Sequence, residues 1–315
     1  MDMQAQRVHR YGAPDVITWE SVPIPRPGAG EVLVRIAAAG VGPWDALVRS
    51  GNSALPQPLP LTLGADLAGT VVESTTGYDH LAPGDDVFGI TNGRFVGSYA
   101  EYAVADADRL ARKPPAASFA EAASLPVVSV TAWKMLHAEG GIRAGMHVLV
   151  HGASGAVGSL AVQLAHAAGA RVTALGAAGD ADRLRRLGAA APGNYDRAFE
   201  QHVSDVDLVI DTIGGDIADR SFAVMRRGGI LVSSVRPPDP GRAAQAGVRA
   251  TFFIVDVRTR DLELVAALLE RKQLVADVGI VLPLAQARAA HEMLAQSSRE
   301  HRGKIVLEAG ERVGA

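Results

Sequence analysis

Residues 147–175 read HVLVHGASGAVGSLAVQLAHAAGARVTAL. His147–Val150 is a short apolar run of the kind a buried parallel strand needs. A loop of small residues follows. Leu160, Val162, Leu164 and Ala165 then predict a helix, Gly169 ends it, and Arg171–Leu175 predicts a second strand. A loop placed between strand and helix lets backbone N–H groups approach a pyrophosphate, and the helix N-terminus adds a favourable field. Against G-x-G-x-x-G the stretch fits at Ala153, Gly155 and Gly158, with alanine in the first place. Such a triplet alone is weak evidence. Its position inside a strand–helix–strand unit makes a dinucleotide site the expected reading, with Ser154, Gly155, Ala156 and Val157 against the ligand. The alternative is a tight turn that binds nothing.

Upstream, the chain is rich in strands and turns. Strands are expected at Val32–Ala37, after the Pro23–Gly30 turn region, at Gly69–Glu73, and at Asp86–Ile90 after Pro83-Gly84-Asp85. Ser98–Val104 alternates enough to be another. Pro114-Pro115 marks a change: from Ser118 the pattern is helical, and from His147 strands and helices alternate. Val206–Ile210 and Gly229–Val235 are runs typical of inner parallel strands. Leu262–Leu269 has a helical period, and Gly303–Leu307 predicts a terminal strand. The expected fold class is α/β, with a β-rich domain preceding a doubly wound parallel sheet.

Composition narrows the function classes. A chain of 315 residues with 48% hydrophobic content can build two cores. The net charge of −3 gives no reason to expect nucleic acid. No apolar run approaches the roughly 20 residues of a membrane span. The opening MDMQAQRVHRYG lacks an apolar signal region, so a cytoplasmic protein is expected. The absence of cysteine removes disulfides, thiolate nucleophiles and cysteine-ligated metals together. His147 and His151 share a strand face, but no other ligand is spaced to join them. They read as two polar strand ends, and no metal is expected.

Several further segments carry a resemblance: GVGPWDALVRSG at 40–51, LTLGADLAGTVV at 61–72, PGDDVFG at 83–89, SYAEY at 98–102, AASLPVVSVTAW at 122–133, DLVIDTIGG at 207–215 and RGKIVL at 302–307. With the glycine loop they resemble the zinc-independent branch of the medium-chain dehydrogenase/reductases, the quinone oxidoreductase-like proteins. The resemblance implies a GroES-like catalytic domain (1–124, completed by 267–315), a Rossmann domain (125–266) and a homodimer joined through Rossmann sheet edges. Zinc-dependent relatives carry a cysteine near Asp45 and Gly-His-Glu near Gly64. Here the triplet is Gly64-Ala65-Asp66, and the cysteine-rich lobe is missing.

An NAD site usually places an acid at the end of the second strand. This strand ends Ala174-Leu175-Gly176-Ala177-Ala178, leaving room at Gly176 for a 2′-phosphate, with Arg183 near enough in sequence to supply charge. Asp180 and Asp182 are read as helix-capping residues before Leu184 and Leu187. NADPH is the expected cofactor. By resemblance, Tyr195 lies at the adenosine phosphate end, and Thr212 and Ile213 lie near the ribose and nicotinamide. Ser233-Ser234-Val235 and Phe252-Phe253-Ile254 occupy later strand ends, where ligands bind in open α/β sheets. Thr131 resembles a helix threonine that approaches the nicotinamide; a hydroxyl satisfied by its own helix is an equal alternative.

A hydride acceptor without zinc is easier to reduce when conjugated, because charge spreads to a distant oxygen. The expected function is therefore NADPH-dependent reduction of a quinone or α,β-unsaturated carbonyl, with a biosynthetic enoyl reductase as a close variant. The alternative is an NADPH-binding protein of low turnover with a structural or interaction role. Gly42, Trp44, Asp45, Val48 and Tyr99 are expected to wall the small-molecule pocket. Many relatives carry asparagine in place of Gly42, so its missing side chain is expected to widen the pocket and favour a bulky enone. No residue stands out as general acid; Asp45, Lys134 and Asp196 are weak candidates. Lys304, in the Arg-Gly-Lys turn, is read as structural.

Overall fold

The computed structural model describes residues 1–55, 57–75, 81–194, 198–295 and 302–310. The chain forms two units. One comprises Met1–Val127, Asp256–Arg271 and Ala276–Ala315, and the other Val128–Val255 and Lys272–Val275.

In the second unit, six strands run in the order Ala191–Asn194, Arg171–Gly176, His147–His151, Val206–Asp211, Met225–Ser233 and Arg249–Phe252. Every neighbouring pair is parallel. Numbered along the chain within this unit, the order is 3-2-1-4-5-6, the doubly wound arrangement of a Rossmann sheet. Its inner strands are buried on both faces. Val148, Leu149, Val150, Leu208, Val209 and Ile210 are all inaccessible to solvent, which is why they read as unbroken apolar runs. Each such side chain contributes roughly 1.5–3 kcal/mol of gross burial energy. The chain reverses direction across the sheet between His147–His151 and Val206–Asp211. Loops at the carboxyl ends of those two strands face the crevice where such sheets bind ligands.

The first unit is built on a sheet in the order Val278–Pro283, Lys304–Glu308, Glu31–Val41, Asp66–Ser74, Asp86–Ile90 and Leu110–Arg112. Tyr102–Asp106 also pairs with Glu31–Val41. A small second sheet joins Asp2–Val8 to Ile17–Pro23 and Leu61–Thr62. Ser98–Val104 is not one strand: the ladder begins at Tyr102. Ser98 and Tyr99 donate their N–H groups to Gly64 and Leu63 instead, so the stretch before Tyr102 is held by a different segment. The chain re-enters this unit at Asp256, ahead of the expected residue 267. There the Arg109 guanidinium donates to Asp256 Oδ1 at 2.7 Å and to the Val257 carbonyl at 3.0 Å. The helix Thr259–Glu270 then packs on Leu110–Arg112. Among the described residues no helix is long and apolar enough to cross a membrane.

Candidate active site

The turn after His147–His151 depends on Gly152. Its φ of +71° lies in the left-handed region, and a Cβ there would run into Thr212 Oγ1 and Ile213. The tight-turn glycine is thus Gly152, one residue before Ala153, where the motif alignment put it. The Gly155 N–H donates to the Gly152 carbonyl at 2.8 Å, closing the turn. Gly158 packs the helix Ala156–Ala167 onto that turn: an added Cβ would lie 2.6 Å from the Gly152 carbonyl carbon. Gly155 is exposed and sits at the N-cap, so the N–H groups of Ala156, Val157 and Gly158 lack intrahelical acceptors. Ser154 is already committed, its Oγ accepting from the Ala177 N–H at 2.8 Å.

Asp211, fully buried, shapes the facing loop. Its Oδ1 accepts from the N–H groups of Ile213 (3.0 Å) and Gly214 (2.8 Å), and its Oδ2 from Ser233 Oγ at 2.7 Å. Ser234 donates its N–H to the Asp211 carbonyl. Ile213, Val235 and Ile254 are large apolar side chains left exposed at or just beyond the carboxyl ends of three strands that neighbour one another in the sheet. Phe252 and Phe253 are half-buried beside Ile254. A cavity of about 350 Å³ adjoins Asp211, with Asp219, Arg236 and Asp239 in its lining. Three carboxylates against one guanidinium suit it poorly for a pyrophosphate.

No acid lies between Gly176 and Gly179. Asp180 stands at the N-cap of the helix Ala181–Arg186, but its carboxylate makes no capping bond. Its φ of −91° and ψ of 0° depart from the extended backbone that aims an N-cap side chain at its helix. Asp182 is exposed and paired with Arg185 at 2.6 Å. Arg183 lies half-buried on this helix, Thr131 is buried on Pro126–Lys134, and Lys134 ends that helix half-buried. Tyr195 and Asp196 lie outside the described residues.

In the first unit, Gly42, Trp44, Asp45, Val48 and Tyr99 lie at and around the start of the helix Pro43–Ser50. Val48 and Tyr99 are core residues, packed in the main hydrophobic cluster. Trp44 alone of the five is not fully buried; it is half-buried, with its indole Nε1 inaccessible. Gly42 does not widen a pocket, because the Trp44 indole fills the space: a Cβ on Gly42 would come 2.5 Å from the indole Cη2. Its φ of −136° is open to any residue, so the indole is what excludes a side chain.

Asp45 Oδ2 accepts from the Gly42 N–H at 2.8 Å and from the Tyr99 hydroxyl at 3.1 Å. Asp66, 0% exposed, accepts the Lys304 ammonium at 3.0 Å on Oδ2 and the Val127 N–H at 3.0 Å on Oδ1. Lys304, 4% exposed, also sits 4.1 Å from the centroid of the Trp44 ring. Two carboxylates and one ammonium are therefore buried together. Burial pushes the Asp45 carboxyl up to about 7, reinforced by the charge of Asp66 and opposed by the Gly42 N–H, Lys304 and the Tyr99 hydroxyl. Asp66 is also raised by burial, against the pull of Lys304 and the Val127 N–H. Burial and Asp45 push the Tyr99 hydroxyl well up.

Asp45 binds more protons folded than unfolded between its ordinary value and about 7, so its contribution to stability falls as pH rises through that window. Asp45→Asn keeps an acceptor for Gly42 and Tyr99 without the charge. The variant should gain on the wild type as pH rises from about 5 to about 8. Urea unfolding at both pH values checks this; an equal difference at the two pH values contradicts it.

His147 and His151 do not act together. His147 contacts Thr173 Oγ1 at 2.8 Å, and His151 contacts Ser221 Oγ at 2.6 Å. Among the described residues, no group of three or more His, Asp or Glu is placed to hold a metal ion.

Residues 28–115 match the family described as the alcohol dehydrogenase GroES-like domain, and residues 187–307 match the one described as zinc-binding dehydrogenase. A quinone oxidoreductase from Sus scrofa is 31% identical over 325 residues, covering 97% of each chain. The chain belongs to the medium-chain dehydrogenase/reductase superfamily. A 2-methylene-furan-3-one reductase from Solanum lycopersicum is 36% identical over 251 residues, which span 75% of this chain and 64% of that protein. Among solved structures, the quinone oxidoreductase from Coxiella burnetii has a TM-score of 0.91 at 30% identity, covering 98% of this chain and 100% of its own. A mycobacterial protein complexed with NADPH has a TM-score of 0.86 at 30% identity, covering 97% and 99%.

Sequence reading missed the Asp66–Lys304 pair and the role of Gly152. The departure from Gly-His-Glu at Asp66 was a signal that the carboxylate needed another partner. The glycine preceding Ala153 was the signal for the second.

Proposed function

We propose that this protein is an NADPH-dependent, zinc-independent reductase of quinones or α,β-unsaturated carbonyls. The observation that carries the reading is the Gly152–Gly158 cradle at the sheet's switch point, where Gly152 and Gly158 admit no side chain and helix N–H groups are presented. These residues fit a pyrophosphate. Bound there, NADPH supplies a hydride. The exposed Ile213, Val235 and Ile254 offer apolar surface for the nicotinamide, and the acid-free end of Arg171–Gly176 favours a 2′-phosphate. A zinc ion does not fit the residues present. Ala65 offers no ligand, and Asp66 is held by an ammonium that would repel a divalent cation. The named activities of the pig and tomato relatives support a conjugated acceptor.

Oxidation of NADPH in the presence of a panel of quinones and enones tests this. Tight NADPH binding with no turnover of any acceptor would return the low-turnover binding protein instead. Arg183→Ala should weaken NADPH about tenfold and NADH by less than about twofold, since a bond to a charged group is worth about 1.5–3 kcal/mol. Fluorescence titration with both nucleotides measures it, and equal losses would contradict the assignment. Activity should survive dialysis against a strong chelator; loss of activity restored by zinc would overturn the metal-free reading.

A further inference from the structure

Arg49 and His291 are buried without partners. Arg49, 7% exposed, stands near the end of the helix Pro43–Ser50, and His291, 1% exposed, lies in the helix Ala287–Ala295. The Nε and Nη1 atoms of Arg49 are inaccessible to solvent, as are both ring nitrogens of His291. None of the four has a hydrogen-bond partner among the described residues. The segment around Pro14 meets both helices: the Gly12 N–H donates to the Arg49 carbonyl at 3.2 Å, and Pro14–Val16 packs on the helix of His291. The Tyr99 ring stands edge-on to the imidazole, with centroids 6.0 Å apart, and turns its hydroxyl to Asp45.

Arg109 shows how the same fold treats an arginine buried to a similar degree. At 9% exposure it donates to Asp106, to Asp256 and to the Val257 carbonyl. Arg49 has no such acceptors. The charge of Asp15 reaches it, but no ion pair joins them; the Asp15 carboxylate is 54% exposed and lies 3.8 Å from Arg10. An ionised donor stripped of water and left without an acceptor is among the costliest defects a fold can carry. Nε and Nη1 donate in the plane of the guanidinium, so stacking on a ring would satisfy neither. Burial pushes the His291 imidazole down to about 3, and the Arg49 charge acts in the same direction. The ring is therefore neutral and carries one N–H donor. What remains is one positive charge and several open N–H donors, where three segments of one unit meet.

We propose that Arg49 and His291 form a buried binding site for one small monovalent anion, such as chloride. The anion accepts from the Arg49 donors that the chain leaves open, and the neutral imidazole adds its N–H. Water alone would meet the hydrogen bonds and leave the charge uncompensated, whereas an anion does both. A single positive charge calls for a monovalent ligand, since a divalent one would leave a negative charge buried instead. The site shares no residue with the glycine cradle and does not depend on the reductase reading.

To test this, chloride is titrated into protein dialysed against sodium gluconate, a bulky anion, with ionic strength held constant so that screening does not change. Thermal unfolding is followed for the wild type, Arg49→Met and His291→Leu. The wild-type Tm should rise by about 3 °C once chloride exceeds its Kd about tenfold, and then level off. Arg49→Met removes the orphaned charge. It should show no such rise, and in gluconate alone it should be at least as stable as the wild type. His291→Leu should need about threefold more chloride, or above, for the same rise. Crystals grown in sodium bromide should show an anomalous peak within hydrogen-bond reach of an Arg49 nitrogen. An equal chloride response in the wild type and either variant would overturn the proposal, as would water alone at Arg49 in the bromide crystals. A wild type indifferent to chloride would also overturn it, even with bromide bound, because that is binding at crystal concentration only. If Arg49→Met does not fold, His291→Leu and the bromide crystals decide.

Discussion

Replacing Lys304 by methionine is expected to cost the first unit about 3–5 kcal/mol, the usual penalty for removing one partner of a buried ion pair. Asp66 is 0% exposed, and its other oxygen accepts from the Val127 N–H. The single variant therefore strands a carboxylate in the core. Because burial already raises that group, the loss should shrink as pH falls and Asp66 takes up a proton. Adding Asp66→Asn should restore most of the lost stability at neutral pH. Urea unfolding of the wild type, the single variant and the pair measures the effect. A single variant as stable as the wild type at neutral pH would mean that Lys304 and Asp66 are not a desolvated pair.

The second large effect concerns the glycine cradle, where two neighbouring glycines should fail differently. Gly158→Ala pushes a methyl group into the Gly152 carbonyl. Its neighbour is backbone in a closed turn, so the strain of about 1–3 kcal/mol is borne by the turn itself. NADPH affinity should fall about tenfold or more, and the second unit should lose stability by the same distortion. At Gly155 the nearest atom to an added Cβ is the Gly152 oxygen at 3.3 Å, and φ is −81°. Gly155→Ala should leave unfolding nearly unchanged while weakening NADPH, because its methyl projects where the pyrophosphate is expected. Equal stability losses in the two variants, or full NADPH affinity in Gly158→Ala, would contradict the assignment.

The parallel sheet was legible because its inner strands are buried on both faces. Val148–Val150 and Leu208–Ile210 could not be apolar on only one side. The helical pattern read from Ser118 does open a helix there, with the Ser118 Oγ accepting the Glu121 N–H. What stayed hidden depended on partners far away in sequence. Asp66 and Lys304 are 238 residues apart, and no periodicity links them. Tyr99 has a polar tip, which reads as pocket-facing, yet its hydroxyl is satisfied by Asp45 inside the core. Gly42 reads as empty space only when Trp44, two residues on, is not allowed to fold back over it. Asp180 holds the position of a cap without its bond, because capping depends on φ and ψ as well as on residue type.

The strand Lys304–Glu308 lies between Val278–Pro283 and Glu31–Val41 in the sheet of the first unit. During synthesis, Glu31–Val41 leaves the ribosome long before the strand that must lie beside it. Until residue 308 emerges, the backbone of Ala38–Val41 has an unpaired edge, and Asp66 must remain hydrated for lack of its ammonium. The Rossmann sheet needs nothing beyond Val275 and can close first. The first unit therefore carries the long loop closure and its slow rate. Chains stalled or cut before Lys304 should be the species that chaperones and proteases meet, each with a finished second unit and an open first one.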